Sequence, residues 1–221
     1  MKQYDLIIFD WDGTLMDSIA RIVSSMQAAA VSLSMNAPDD DQVKNVIGLS
    51  LPKIMEILFP LASKQQADAL IAQYKLQYQE KDTTPTPLFN NALPLLTQLH
   101  NSDKLLAIAT GKGRKGLERV LKLSNTQHFF HTSRCSDEAK SKPDPQMLQS
   151  ILDELSMPVE RAIMIGDSSH DLDMARRAGM ASIGVTYGVH KKAILAQYQP
   201  KAIVDSLTEL QSLLLGQSRS S

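Results

Sequence analysis

Two aspartates separated by one residue, Asp10 and Asp12, lie near the start of the chain in the stretch FDWDGTLMDS. Two carboxylates so close together repel each other, and folding alone gives little reason for this pair. The pair therefore makes the end of the first apolar run a candidate functional site, where charged oxygens are held close together for chemistry or for binding a cation.

Five short apolar runs are expected to form buried strands, and helical patterns separate them. Strands that alternate with helices are typical of a parallel sheet that helices cover on both faces. The sequence thus predicts an α/β protein with a Rossmann-like, doubly wound core. The predicted strands are YDLIIFD, KLLAIAT, a weaker run around FFHTSRC, AIMIGDS and ASIGVTY.

Residues 16–82 differ from the rest of the chain, because their apolar residues follow helical spacing and form no convincing strand. Ser63 with Gln66 fits a capping box, which is a typical helix start. This stretch predicts an α-helical cap domain inserted after the first strand. The Pro-containing segment at 82–87 is expected to link it back as a stiff connection. The expected core domain consists of residues 1–15 and 83–221, and the expected cap domain of residues 16–82.

Ligands of open parallel sheets bind outside the carboxyl ends of the strands, so the residues that follow each predicted strand are candidates for a site. After the fifth run comes TYG, which is interpreted as ordinary turn chemistry. The other strand ends and the loops after them contribute four carboxylates, a hydroxyl, a glycine and a lysine: Asp10, Asp12, Thr110, Gly111, Lys142, Asp167 and Asp171.

Four carboxylates cannot all stay ionised close together without a cation. Oxygen ligands beside a phosphate favour Mg²⁺, which binds a few carboxylates and keeps several waters. Thr110 supplies a hydrogen-bond donor and Lys142 supplies positive charge, as a bound phosphoryl group requires. These residues therefore predict a Mg²⁺-dependent site for phosphoryl transfer.

Taken in order, DWDGT, Thr110 at a strand end, SKPDP and GDSSHD resemble the four motifs of the haloacid dehalogenase (HAD) superfamily. The helical insertion directly after the first motif resembles the C1-type cap of that superfamily. The resemblance covers nearly the whole chain. It is closest to the branch of phosphoglycolate phosphatases and β-phosphoglucomutases.

The resemblance implies a role for each motif residue. Asp10 would attack phosphorus and form an aspartyl-phosphate, while Asp12 would protonate the leaving alkoxide and then take a proton from water. Thr110 and the Gly111 amide would bind the phosphoryl oxygens, helped by the helix N-terminus that follows. Lys142 would neutralise the phosphate and hold Asp10.

The resemblance also implies how Mg²⁺ is held. Its ligands would be the carboxylate of Asp10, the backbone carbonyl of Asp12 and Asp167. Asp171 would support the metal site, through a water or through one of those ligands.

The second aspartate narrows the predicted chemistry. Dehalogenases and phosphonatases of the family lack an aspartate at the position of Asp12, so its presence favours phosphoryl transfer from an oxygen ester. Lys53, near the start of a cap helix, is interpreted as substrate-facing or merely solvated. The predicted function is a Mg²⁺-dependent phosphatase of a small phosphate monoester, similar to phosphoglycolate phosphatase. The alternatives are a phosphomutase of the β-phosphoglucomutase type and, in another class, a signalling or binding protein that accepts a phosphoryl group.

The stretch GKGRKG departs from the family pattern, since many members have an asparagine at the position of Gly111. It also places Lys112, Arg114 and Lys115 beside the predicted site. These cations could raise affinity for more anionic substrates, but a solvated helix face is the favoured interpretation.

The composition limits the possible partners and location. The 221 residues include 23 Lys and Arg against 24 Asp and Glu, which disfavours a surface for nucleic acid or acidic lipid. The single cysteine, Cys135, allows no internal disulfide and is expected to be a structural thiol in a reducing cytoplasm. No signal peptide or membrane-spanning run is visible. A cytoplasmic monomer or homodimer that binds a small phosphorylated metabolite is expected.

Overall fold

The computed structural model describes residues 4–216, and within that range six parallel strands form one sheet. The strands are Leu6–Phe9 (β1), Leu105–Ala109 (β2), Thr132–Arg134 (β3), Ala162–Gly166 (β4), Ala181–Val185 (β5) and Ala202–Val204 (β6). Their order across the sheet is β3-β2-β1-β4-β5-β6. The winding direction thus reverses between β1 and β4, and the predicted doubly wound α/β core is confirmed.

Side chains along β1 alternate between two buried layers, as the pleat of a strand requires. Ile7 and Phe9 pack into the hydrophobic cluster on one face, and Leu6 and Ile8 pack into the cluster on the other. Because both faces are covered, the whole strand is apolar rather than alternating with polar residues.

Helices cover the two faces of the sheet. One face packs against Ala92–His100 (α5), Arg114–Leu123 (α6) and Leu207–Leu215 (α10), and the other packs against Gln146–Glu154 (α7) and Ser169–Arg177 (α8). The short helix Lys192–Leu195 (α9) lies near the end of β5. Short 3₁₀ turns connect the elements at Gln127–Phe129, Val159–Arg161 and Ala196–Tyr198.

Between β1 and β2 the chain is helical. It forms Ile19–Ser32 (α1), Asp40–Lys44 (α2), Leu51–Leu58 (α3) and Lys64–Leu76 (α4), followed by a π-helical turn at Gln77–Lys81. The predicted capping box of Ser63 and Gln66 starts α4. These helices pack around a hydrophobic cluster of their own, which includes Met26, Met55 and Leu70. The division of the chain into core and cap domains stays a prediction.

The sixth strand was not predicted from the sequence. It has three residues, lies at the edge of the sheet and is only partly buried, so its apolar pattern is short and weak. Among residues 4–216, no helix combines the length and the hydrophobicity that crossing a membrane would require.

The only cysteine, Cys135, is fully buried at the end of β3, and burial raises the pKa of its thiol to about 12. Because the reactive species is the thiolate, we expect the native protein to react very slowly with Ellman's reagent at about pH 8. The measurement is absorbance with time, and the same protein in denaturant, which should release one equivalent promptly, is the control. Rapid stoichiometric reaction of the native protein would contradict the buried position.

Candidate active site

Three buried carboxylates meet at the carboxyl edge of the sheet. Asp10 follows β1 and Asp167 follows β4, so they lie side by side where the winding direction reverses. Asp171 comes from the first turn of α8. Each of the three offers an oxygen within 4.8 Å of the others, and all three are buried.

Lys142 is the counter-charge inside this cluster. Its Nζ lies 2.9 Å from Oδ1 of Asp10 and 2.6 Å from Oδ1 of Asp171, and its side chain is fully buried. Burial alone would lower the pKa of Lys142, but the two carboxylates outweigh it and raise the pKa above its ordinary value. One ammonium among three carboxylates leaves the cluster with a net negative charge when all four groups are ionised.

That excess charge changes the acidity of the carboxylates. Burial, together with the negative charge of Asp171, raises the pKa of Asp167 to about 7. Burial also raises the pKa of Asp10 well above its ordinary range, against the opposing effect of Lys142. Both shifts arise because carboxylates crowded together away from water resist ionisation.

The carboxylate cluster fits a divalent cation. Oδ1 of Asp10 is buried and accepts no well-aligned hydrogen bond among the described residues, although Nζ of Lys142 is 2.9 Å away. Hard cations such as Mg²⁺ and Ca²⁺ prefer carboxylate oxygens of this kind. A cation there would also balance the charge that Lys142 leaves uncompensated.

Glycines allow the backbone to close tightly around Asp167. Gly13 has φ of +82°, and a Cβ atom there would collide with the carboxylate of Asp167. A Cβ atom at Gly188 would collide with the same side chain. The amide of Val189 donates to Oδ2 of Asp167 at 2.8 Å, and Oγ1 of Thr14 donates to Oδ1 at 2.9 Å. The loop after β5 therefore belongs to the site, and its interpretation as ordinary turn chemistry was wrong.

The carboxylate of Asp12 lies outside the cluster of three. Oγ of Ser18 donates to its Oδ1 at 2.6 Å, and Nζ of Lys112 lies 2.9 Å from its Oδ2. Asp10 and Asp12 thus occupy different electrostatic surroundings although one residue separates them. The side chain of Lys112 is only 11% exposed, so the prediction of a solvated helix face is wrong for this residue.

Thr110 and Gly111 follow β2 and lead into α6. Thr110 is buried, and its Oγ1 accepts a hydrogen bond from the Lys112 amide at 3.2 Å. Gly111 lies against the backbone of Gly48 and Leu49, in the loop before α3, where a Cβ atom would collide with their carbonyl oxygens. The glycine that departs from the family pattern thus permits a close approach between the helical insertion and the sheet.

A cavity of about 730 Å³ opens between the sheet edge and the helical insertion. Asp10, Asp12, Thr110 and Gly111 line it on the sheet side. Apolar and aromatic side chains line it on the other side, namely Ile22, Ile47, Leu49, Leu51, Ile54, Tyr74 and Tyr78. The arrangement can hold a ligand with one polar end against the aspartates.

Lys53 is the predicted site residue that the structure does not bring to the others. It lies on α3 with a side chain 51% exposed, and its Nζ is 2.8 Å from Glu56. It is absent from the residues that line the cavity, since Ile54 and Met55 provide the buried face of α3.

The pKa of Asp167 makes the metal-free protein sensitive to pH. A carboxyl group whose folded pKa of about 7 exceeds its unfolded value stabilises the fold fully below the unfolded pKa, and this contribution disappears as pH rises through 7. In chelator we therefore expect the free energy of unfolding to lose about 1.4 kcal/mol per pH unit from this group between about pH 4 and 7, and the loss to level off above 7.

The measurement is the melting temperature in EDTA at several values between about pH 5 and 8, where the decline should end near 7. Asp167→Asn should flatten the decline, whereas Asp173→Asn should not, because ion pairs with Arg176 and Arg177 help to lower the pKa of Asp173 despite its partial burial. Identical pH dependence in the wild type and Asp167→Asn would contradict this assignment.

The chain is similar to known proteins along most of its length. A family model described as haloacid dehalogenase-like hydrolase matches residues 7–185. A Dickeya dadantii protein named "Probable phosphatase IndB" is 34% identical over 209 residues, which cover 93% of this chain and 91% of the relative. A phosphoglycolate phosphatase of Vibrio cholerae is 29% identical, with 97% and 99% covered.

A solved haloacid dehalogenase-like family hydrolase from Streptococcus pneumoniae superimposes with a TM-score of 0.83 at 27% identity. The match covers 96% of this chain and 99% of that one. The resemblance that the four motifs predicted is therefore confirmed, and the chain belongs to the haloacid dehalogenase-like hydrolase family.

Proposed function

We propose that the protein is a Mg²⁺-dependent phosphatase that hydrolyses a small phosphate monoester through an aspartyl-phosphate, similar to phosphoglycolate phosphatase. The observation that carries the proposal is the separation of the two aspartates. Asp10 contacts Lys142 in the carboxylate cluster, and Asp12 contacts Ser18 and Lys112, while both line one cavity. One carboxylate can then act as nucleophile while the other transfers protons.

In the first step, an oxygen of Asp10 forms a bond to phosphorus as the bond from phosphorus to the ester oxygen breaks. Asp12 gives its proton to the ester oxygen, so this oxygen leaves as a hydroxyl group rather than as an alkoxide. In the second step, Asp12 takes a proton from water, whose oxygen attacks phosphorus. Inorganic phosphate leaves, and the carboxylate of Asp10 is restored.

Other residues of the chain would position the phosphoryl group. Lys142 keeps its charge in the buried cluster, so it can hold Asp10 and attract phosphate oxygens. Thr110 and Gly111 line the same cavity, beside the chain that leads into α6, so a hydroxyl and a backbone amide are available there. Donors fixed in this way stabilise the charge that develops on the transferring group.

The carboxylates of Asp10 and Asp167 would hold Mg²⁺ together with the backbone carbonyl of Asp12, and Asp171 would support them. When bound, the ion neutralises charge so that a carboxylate and a phosphate can approach each other. Residues 16–82 would act as a cap over a core of residues 1–15 and 83–221. Of this core, residues 1–3 and 217–221 lie outside the described range. Lys53 has no part in this proposal, because it faces away from the cavity.

Replacement of the nucleophile tests the proposal directly. We expect Mg²⁺-dependent phosphate release from a panel of phosphate esters, abolished by EDTA and lowered by roughly three orders of magnitude or more in Asp10→Asn. The matched control is Asp17→Asn, because Asp17 is an exposed aspartate of the same stretch, and this variant should keep wild-type activity. Undiminished activity in Asp10→Asn would refute the mechanism. Isomerisation of a sugar phosphate without hydrolysis would indicate a phosphomutase instead.

The role of Asp12 predicts a dependence on the leaving group. A nitrophenolate leaves without a proton, so Asp12→Asn should slow the first step much more for an alkyl phosphate than for p-nitrophenyl phosphate. Slow breakdown of the aspartyl-phosphate should then produce a burst of about one equivalent of nitrophenol per site in stopped-flow measurements. Equal losses with both esters and no burst would assign Asp12 a different role.

The contact at Gly111 predicts that a small side chain hinders closure of the helical insertion. Gly111→Ala should lower kcat/KM about tenfold or more, because its Cβ atom meets backbone oxygens that cannot turn aside. Gly113→Ala is the matched control, since its Cβ atom would meet only the side chain of Asp137. Equal kinetics of the two variants would contradict the importance of this contact.

A further inference from the structure

Three cationic side chains surround the ring of Tyr78 above the proposed site. Nζ of Lys112 lies 5.0 Å from the ring centre, and the guanidinium carbons of Arg21 and Arg119 lie 5.6 and 5.8 Å from it. Arg21 belongs to α1, Tyr78 to the π-helical turn after α4, and Arg119 to α6. These four residues, named the Tyr78 cluster below, therefore join the helical insertion to the core.

The Tyr78 cluster has more positive charge than the carboxylates around it can balance. Lys112 pairs with Asp12, but neither Arg21 nor Arg119 pairs with a carboxylate in the described part of the chain. The Nε atoms of both arginines are buried without a hydrogen-bond partner among residues 4–216. Guanidinium groups have a fixed fork of donors that suits carboxylate and phosphate oxygens.

Tyr78 adds an independent sign of a missing partner. The residue is only 5% exposed, and its hydroxyl is buried with no hydrogen-bond partner among the described residues. Burial raises the pKa of Tyr78, so the hydroxyl keeps its proton and remains a donor. A buried donor is normally satisfied, so this hydroxyl and the two Nε atoms each lack the acceptor that such a group usually has.

The Tyr78 cluster begins where the leaving alcohol must lie. Lys112 contacts Asp12, which would protonate the leaving oxygen, and also contacts the Tyr78 ring. Tyr78, Lys112 and Arg119 line the cavity that contains Asp10. A substrate whose phosphoryl group meets Asp10 therefore directs the rest of its structure towards the cluster.

We propose that the Tyr78 cluster binds a second anionic group, a carboxylate or a phosphate, on the alcohol part of the substrate. The inference rests on the proposed phosphatase function and deepens it to a substrate class: short phosphate esters with another anion a few bonds from the ester oxygen. A neutral polyol is disfavoured, because it would leave the positive charge of Arg21 and Arg119 without a balancing anion.

Matched pairs of esters test the proposal. One pair is 2-phosphoglycolate and ethyl phosphate, in which a methyl group replaces the carboxylate; the other is ethylene glycol bisphosphate and 2-hydroxyethyl phosphate. We expect the wild type to favour the more anionic member of at least one pair by about tenfold or more in kcat/KM. The pair with the larger ratio identifies carboxylate or phosphate as the preferred anion.

Arg119→Met should lower kcat/KM for the preferred anionic ester by about tenfold or more, mainly through KM, and leave its neutral counterpart nearly unchanged. Arg21→Met and Tyr78→Phe should act in the same direction, and Arg119→Lys should restore part of the loss. Lys122→Met removes an exposed cation from the same helix and is the matched control. Melting temperatures establish that each variant is folded. If Arg119→Met does not fold, Tyr78→Phe and Arg119→Lys are enough to test the proposal.

Binding to Asp10→Asn separates this inference from the proposed function. Isothermal titration with the members of each pair should show tighter binding of the anionic one, and Arg119→Met in the same background should remove that preference. The binding preference is expected even if the wild type hydrolyses none of the esters. That absence of hydrolysis would refute only the phosphatase function. Equal affinity for the members of both pairs, or equal losses for both members in Arg119→Met, would overturn the second-anion site.

Discussion

The site depends on the buried ion pairs of Lys142 with Asp10 and Asp171. Burial of an uncompensated charge is costly, so three carboxylates can share this space only if positive charge shares it with them. Lys142 supplies part of that charge, while burial and the negative charge of Asp171 raise the pKa of Asp167 to about 7. The buried cluster of three carboxylates therefore favours the binding of a further cation.

The cost of burying these carboxylates also explains why the backbone packs so closely around Asp167. Amide and hydroxyl donors from Val189 and Thr14 satisfy Asp167, and glycines at 13 and 188 let the chain approach closely enough to provide them. Asp12, only two residues after Asp10, is held by Ser18 and Lys112 instead. Different neighbours thus prepare two identical side chains for the different roles proposed for them.

The sequence predicts those parts of the fold whose signal is local. Continuous apolar runs identify β1, β2, β4 and β5, whereas β6 is missed because its three residues are only partly buried and have no clear pattern. The motif aspartates, Thr110 and Lys142 follow from their places after strands. Their convergence needs only the rule that parallel strands end at one edge.

Other parts of the site depend on partners that are distant in the chain. Val189 contributes a backbone amide, which every non-proline residue has, so its residue type gives no signal. Lys112 is buried because Asp12 and Tyr78 come from elsewhere in the chain to meet it. The exposure of Lys53 depends on the rotation of α3 about its axis, which the packing of Ile54 and Met55 sets.

The position of β1 at the centre of the sheet has a consequence for synthesis of the chain. Its two neighbours are β2, which starts at Leu105, and β4, which starts at Ala162, so β1 pairs only with strands that follow it much later in the chain. Such long-range pairing slows folding, because the intervening chain must be closed into large loops first. During synthesis, the apolar segment LIIF must wait for β2 and then for β4 to emerge, and chaperones that shield such segments would act during that interval.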